Sequence, residues 1–194
     1  MTDDRPRSAT LPLFRWGEAL RARKLRRRRI ARRAAAIGGL ALALGLTIAW
    51  PPRPLLVWNA SASAPMGLYR VGPRDDIAPG AMVIARVPAP WRRLAATRSY
   101  LPENVPLVKR VAAAPGDTVC ALGQGIFVNG RPVAERLRVD RAGRPMPWWN
   151  GCTTLRGGAL FLLMADSPAS FDGRYFGTTE RPDILGSAHL LWAR

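Results

Sequence analysis

Residues 34–50, AAAIGGLALALGLTIAW, are seventeen consecutive positions without a charge, and Pro51 and Pro52 extend the uncharged run to nineteen. As a helix rising 1.5 Å per residue, the run covers about 26–28 Å, close to the ~30 Å hydrocarbon thickness of a bilayer. Directly upstream, residues 21–33 read RARKLRRRRIARR, and downstream as far as residue 69 the sole charge is Arg53. Basic residues are retained on the cytoplasmic side of such a span. The sequence therefore predicts a basic cytoplasmic arm over 1–33, a transmembrane anchor over 34–52 and an exported domain over 53–194. Trp50 and Trp58 suit the outer membrane–water interface.

A cleaved secretory leader is the competing reading, since basic, apolar and small-residue segments follow in the order a leader requires. The small run Ala60-Ser61-Ala62-Ser63-Ala64 begins too far beyond the apolar stretch, however. Pro51, Pro52 and Pro54 intervene, and Pro65 would follow the cut. A retained anchor is the better reading. The formal net charge of +17 invites a nucleic-acid partner, but the arm alone holds twelve basic and three acidic side chains, about half of the excess. Next to an apolar span, such a run acts as a topology determinant and contacts anionic lipid headgroups. Nucleic-acid contact is the weaker alternative.

Beyond residue 53 the chain breaks into short apolar runs punctuated by Gly and Pro. Strands are predicted over 67–71, 81–87, 105–112, 126–128, 132–134, 159–164 and 188–192. Asn129-Gly130 marks a hairpin between two of them. No window beyond residue 60 shows a helical period, and 88–104 reads as an insertion or long loop. The exported domain is thus expected to be mostly β and large enough to bury its own core. Cys120 and Cys152 are the only cysteines. In an oxidising compartment they are a disulfide candidate worth ~3–4 kcal/mol, with two buried thiols as the alternative. With His189 they lack the spacing of a metal site, and no glycine-rich nucleotide loop or cofactor motif occurs.

Hydroxyl-based catalysis needs a base. His189, the only imidazole, lies in the apolar run Ala188-His189-Leu190-Leu191, and no Gly-x-Ser-x-Gly elbow exists. A lysine also activates serine when burial keeps its amine neutral. Lys109 is the only lysine outside the arm and sits in the apolar segment Leu107-Val108-Lys109-Arg110-Val111. Taken alone, it could equally be neutralised by an ion pair. Met66 stands where a Ser-x-x-Lys motif starting at Ser63 would need lysine, so any Ser/Lys pair must be assembled across strands.

Three segments resemble the boxes of type I signal peptidases of the S26 family, in their TraF-like conjugative-transfer branch. Asn59-Ala60-Ser61-Ala62-Ser63-Ala64-Pro65-Met66-Gly67-Leu68-Tyr69 resembles the serine box. Val108-Lys109-Arg110-Val111-Ala112, followed by Pro115-Gly116-Asp117, resembles the lysine box. Ser170-Phe171-Asp172-Gly173-Arg174-Tyr175-Phe176-Gly177 resembles the third. Gly173 replaces the serine of the usual Asp-Ser-Arg, and Ala165-Asp166 replaces the usual Gly-Asp.

The resemblance implies a signal-peptidase and LexA-like β catalytic domain behind one transmembrane helix. Ser63 would be the nucleophile and Lys109 its base. Ser61 would support the oxyanion, Ser170 would orient the lysine, and Asp172 and Arg174 would shape the adjoining wall. It also implies an enzyme without cofactor or metal, in a bacterial inner membrane with its catalytic domain in the periplasm. Its substrates would be membrane-embedded precursors, either signal peptides or pilin-like proteins of a conjugative or type IV secretion apparatus, which it would cut or cyclise. A general signal peptidase and a non-catalytic component of a transfer apparatus are the alternatives.

Overall fold

The computed structural model describes residues 12–49, 54–75 and 77–194. The first part of the arm, residues 1–11, and the interface candidate Trp50 with Pro51, Pro52 and Arg53 lie outside the described residues. The chain divides into two units, 1–52 and 53–194.

In the first unit, α1 (Pro12–Ala49) is a single 38-residue helix. Ala, Leu and Arg are strong helix formers, and no proline follows Pro12 within it. Basic arm and apolar stretch are therefore one continuous element. At 1.5 Å per residue it is about 57 Å long, well beyond a hydrocarbon core. Its Leu20–Ala49 portion is long and apolar enough to cross a membrane. Ile37, Leu40, Leu42, Leu44, Leu46 and Ile48 are all exposed. An exposed apolar surface of that extent is characteristic of a membrane or protein interaction site.

Among the described residues the second unit has ten strands, all paired antiparallel. They are β1 (Leu56–Asn59), β2 (Gly67–Val71), β3 (Met82–Ala85), β4 (Leu107–Ala113), β5 (Thr118–Leu122), β6 (Gly125–Val128), β7 (Arg131–Glu135), β8 (Gly151–Thr154), β9 (Phe161–Leu163) and β10 (Ile184–Ala193). Six form one sheet in the order β1-β2-β10-β3-β4-β9, and four form another in the order β7-β6-β5-β8. The long β10 serves both halves of the larger sheet. Ile184, Gly186 and Ser187 pair with β3, and residues from Ala188 to Ala193 pair with β2. Val83, Val111, Leu160, Leu162 and Ile184 form one core cluster, and Val119, Ala121, Ile126, Leu155 and Phe161 another.

The mostly β expectation holds, and the Asn129-Gly130 hairpin joins β6 to β7 with φ of 50° and 76° at its two central residues. Both angles are the left-handed values such a turn requires. The expected loop over 88–104 is instead opened by α2 (Ala89–Thr97). Its first turn carries Pro90, where proline costs nothing, and Ala95 is buried with Trp91 and Leu101 packed against the core. Two and a half turns are too few for a visible period. A one-turn helix, α3 (Gly173–Phe176), is capped by the Asp172 side chain, which accepts from Arg174 N–H. Strands β1, β5 and β8 lay outside the expected runs. β8 is exposed along its whole length, so it carries no apolar alternation to read.

Candidate active site

Lys109 sits in the middle of β4, where Leu107 and Val111, two residues away on either side, are buried. Period-two alternation puts it on their face, and its side chain is only 4% exposed. Its Nζ lies 2.7 Å from Ser63 Oγ and 2.8 Å from Ser170 Oγ, bringing one residue from each of the three boxes together. Burial pulls the Lys109 pKa down to about 8; the Asp172 charge raises it and the Arg174 charge lowers it, both less strongly. A neutral amine is therefore within reach of ordinary pH, and it would accept the Ser63 hydroxyl proton while still donating to Ser170.

Ser63 lies on the turn between β1 and β2. Ser61 Oγ is 3.0 Å from Ser63 Oγ, and Ser63 N–H donates to Ser61 Oγ over 3.4 Å. That N–H and the Ser61 hydroxyl are hydrogen-bond donors beside the Ser63 oxygen. The turn is fastened from below by Asn59 and by Tyr69, whose hydroxyl donates to the Pro65 carbonyl over 2.8 Å. Gly67 closes it. A Cβ there would stand 2.0 Å from the Trp192 carbonyl oxygen of β10, so only glycine lets the two strands meet.

A buried ion pair lies next to Ser170 in the chain. Arg174 Nε donates to Asp172 Oδ1 over 2.9 Å, with both side chains at most 1% exposed. Asp172 also accepts from Met164 N–H, and Arg174 reaches the carbonyls of Met164, Pro168 and Glu135. Every charge is paired and hydrogen-bonded, the condition under which burying an ion pair is tolerable. The pair ties the end of β9 and the end of β7 to the turn that carries Ser170. Gly173, the departure from the usual serine, also has a steric cause. A Cβ there would lie 2.7 Å from the Phe161 ring and 2.8 Å from the Leu162 carbonyl.

Ser63 and Lys109 line a groove of about 790 Å³. Its far wall contains Tyr100 and Leu101 after α2, and the segment around Asp140. Asp140 binds the wall together. Its Oδ2 accepts from Tyr100 O–H at 2.5 Å and Arg144 Nε at 2.7 Å, while Oδ1 accepts from Ala142 and Arg144 N–H at 2.9 Å each. The Tyr100 hydrogen bond, with the other donors, holds its carboxyl well below the usual range. Tyr100 and Asp140 are forty residues apart, and no local pattern signals their meeting.

His189 stands apart from this cluster on β10, with Nε2 3.1 Å from Ser187 Oγ. Cys120 and Cys152 face each other across β5 and β8, with Cα atoms 4.0 Å apart, and form a disulfide. Trp149 is packed edge-on against Phe161 and donates to the Gly173 carbonyl, and Trp148 covers the Arg136 guanidinium at 3.6 Å.

The described residues thus set a buried lysine amine against a serine hydroxyl in an antiparallel β domain. Residues 27–193 match the family model described as signal peptidase, peptidase S26. The chain belongs to that family, and within it to the TraF-like members. It is 42% identical over 81 residues to "Plasmid transfer protein TraF" of Escherichia coli, a match covering 40% of this chain and 46% of the relative. The chain thus spans about half the length of that curated relative. It is 34% identical over 141 residues to "Probable conjugal transfer protein TraF" of Sinorhizobium fredii (strain NBRC 101917 / NGR234), covering 67% of this chain and 73% of the relative. "Signal peptidase I V" of Bacillus subtilis (strain 168) is 30% identical over 95 residues, 44% of this chain and 56% of the relative.

Proposed function

We propose that this chain is a membrane-anchored serine endopeptidase in which Ser63 is the nucleophile and Lys109 its general base. One observation carries the reading: a lysine amine with its pKa near 8 lies 2.7 Å from a serine hydroxyl at the floor of a groove. Neutral Lys109 takes the proton as Ser63 Oγ attacks a peptide carbonyl. Ser63 N–H and the Ser61 hydroxyl steady the oxygen as it gains negative charge. The tetrahedral adduct collapses to an acyl-enzyme, and the Lys109 proton leaves with the departing amine. A water or a free amine then attacks the ester, giving hydrolysis in the first case and a new peptide bond in the second.

The substrates in this reading are precursors embedded in the same bilayer, either signal peptides or pilin-like proteins that serve conjugative transfer. The exported domain faces the periplasm, and the arginines of α1 contact anionic lipid on the cytoplasmic side of the bacterial inner membrane. The test is cleavage of a membrane-embedded precursor by wild type, Ser63→Ala and Lys109→Ala across pH, with product masses recorded. Loss of cleavage in both folded variants is the expected result. Undiminished cleavage in either variant overturns the dyad. The masses separate cutting from joining, and a panel of unrelated precursors separates a dedicated maturase from a general signal peptidase.

A further inference from the structure

We infer that Asn59 is the positioning residue that presets the nucleophile turn. It is the last residue of β1, paired with Gly67, and it is buried. Its carboxamide is used at both ends. Oδ1 accepts from Ser61 N–H over 3.1 Å, and Nδ2 donates toward the carbonyls of Ser61 at 3.0 Å, Ala64 at 3.1 Å and Pro65 at 3.0 Å. Two amide hydrogens serve three acceptors, so one hydrogen is shared.

The consequence follows from peptide geometry. In a trans peptide the C=O and the following N–H point in opposite directions. Drawing the Ser61 carbonyl toward Asn59 therefore turns the Ala62 N–H away from Asn59. The Pro65 carbonyl also accepts from the Tyr69 hydroxyl and the Ser61 carbonyl from Ala64 N–H at 3.5 Å, so the Asn59 amide matters most for the carbonyl of buried Ala64. Asn59 gathers these oxygens to one side and leaves the Ser63 N–H and the Ser61 hydroxyl on the other. Few side chains meet the demand. Aspartate keeps the acceptor but sets a carboxylate against three carbonyl oxygens, alanine removes both functions, and glutamine is one methylene too long.

The catalytic part of this inference rests on the proteolytic reading above, and the test separates the two. Full-length wild type, Asn59→Ala and Asn59→Asp in proteoliposomes are compared for kcat, KM and the pH profile of precursor cleavage. Amide hydrogen exchange is followed in the same samples. Each variant is expected to lower kcat by about 100-fold, the scale of a lost oxyanion donor. KM should change less than threefold, and the pH of half-maximal rate should stay at the wild-type value, because Lys109 and Ser170 are untouched. Exchange at residues 60–66 should quicken while β4 stays protected. A kcat within threefold of wild type in Asn59→Ala overturns the inference. So does a loss accompanied by a shifted pH midpoint or by lost protection across β4, since Asn59 would then support the whole fold rather than the turn. A wild type that cleaves nothing sinks the proteolytic reading alone. Hydrogen exchange then decides, and unchanged exchange at 60–66 overturns the role of Asn59.

Discussion

Lys109 is a lysine that the fold keeps short of its charge, and this has a thermodynamic signature separate from catalysis. Its pKa near 8 in the folded chain compares with ~10.4 in an unfolded one. Between those values the unfolded chain binds more protons than the native one, so stability rises with pH across that window. Below pH 8 the penalty for burying the ammonium stands in full, at about 3 kcal/mol. Lys109→Met should therefore melt above wild type at pH 7, with the gap closing toward pH 10. Calorimetry of the two proteins in one detergent measures this, and a constant gap would mean that the lysine is not titrating in this window. Cleavage should follow the same group in the same sense but in a lower window, rising tenfold per unit below pH 8 and levelling above it. Gly173 makes a second residue-scale case. Gly173→Ser drives a Cβ into the fully buried Phe161 ring and against the Leu162 carbonyl oxygen, which should cost about 1–3 kcal/mol. The cost should shrink in a Phe161→Leu background, and urea titration of the double-mutant cycle gives the coupling. Additive losses would place the clash elsewhere.

At the scale of elements, the smaller sheet depends on one covalent tie. Edge strand β8 has no buried residue, so hydrogen bonds to β5 and the Cys120–Cys152 bond are what fix it. The bond spans 32 positions, and its loss should cost ~3–4 kcal/mol, read as a drop in denaturation midpoint for the Cys120→Ala/Cys152→Ala protein. Exchange protection should vanish in β8 while β4 holds; a melt of both together would show that the sheets unfold as one unit. The groove wall makes the complementary case. Asp140→Ala removes the acceptor shared by Tyr100 and Arg144 and should raise KM severalfold with little change in kcat or in the pH midpoint. A fall in kcat at constant KM would instead tie the wall to the chemistry. These elements also mark the limit of what the sequence discloses. The meeting of Ser63, Lys109 and Ser170 and the Asp172–Arg174 pair were legible because each residue sits in a box with fixed spacing, and the disulfide because only two cysteines exist. The Tyr100–Asp140 contact has no such carrier, since it forms between segments that meet only in three dimensions. Helix α2 was hidden by Pro88 before it and Pro90 within it, by Arg92-Arg93 and by its short length. Asn59 stood inside the quoted box, yet its four hydrogen bonds depend on how the turn closes.

For the molecule as a whole, the decisive quantity is where its charge lies along the chain. Twelve of the 30 basic side chains precede residue 34, and the apolar half of α1 follows them without interruption. A helix about 57 Å long exceeds the bilayer core by roughly half its length, so an α1 that spans the membrane must leave its arginine-rich turns outside the hydrocarbon. Carrying that many guanidinium groups across would be far costlier than leaving them in place. The arginines should therefore hold the N-terminus in the cytoplasm and commit the dyad to the opposite side. With alkaline phosphatase fused after Arg194, which is active only when exported, the intact chain should give strong activity. Replacing Arg26, Arg27, Arg28 and Arg29 by glutamate should cut that activity severalfold, as part of the population inverts. The same fusion carrying Ser63→Ala should stay fully active, because topology is set before any chemistry. Equal phosphatase activity with and without the four arginines would show that orientation is fixed elsewhere, leaving the basic turns of α1 to serve lipid binding alone.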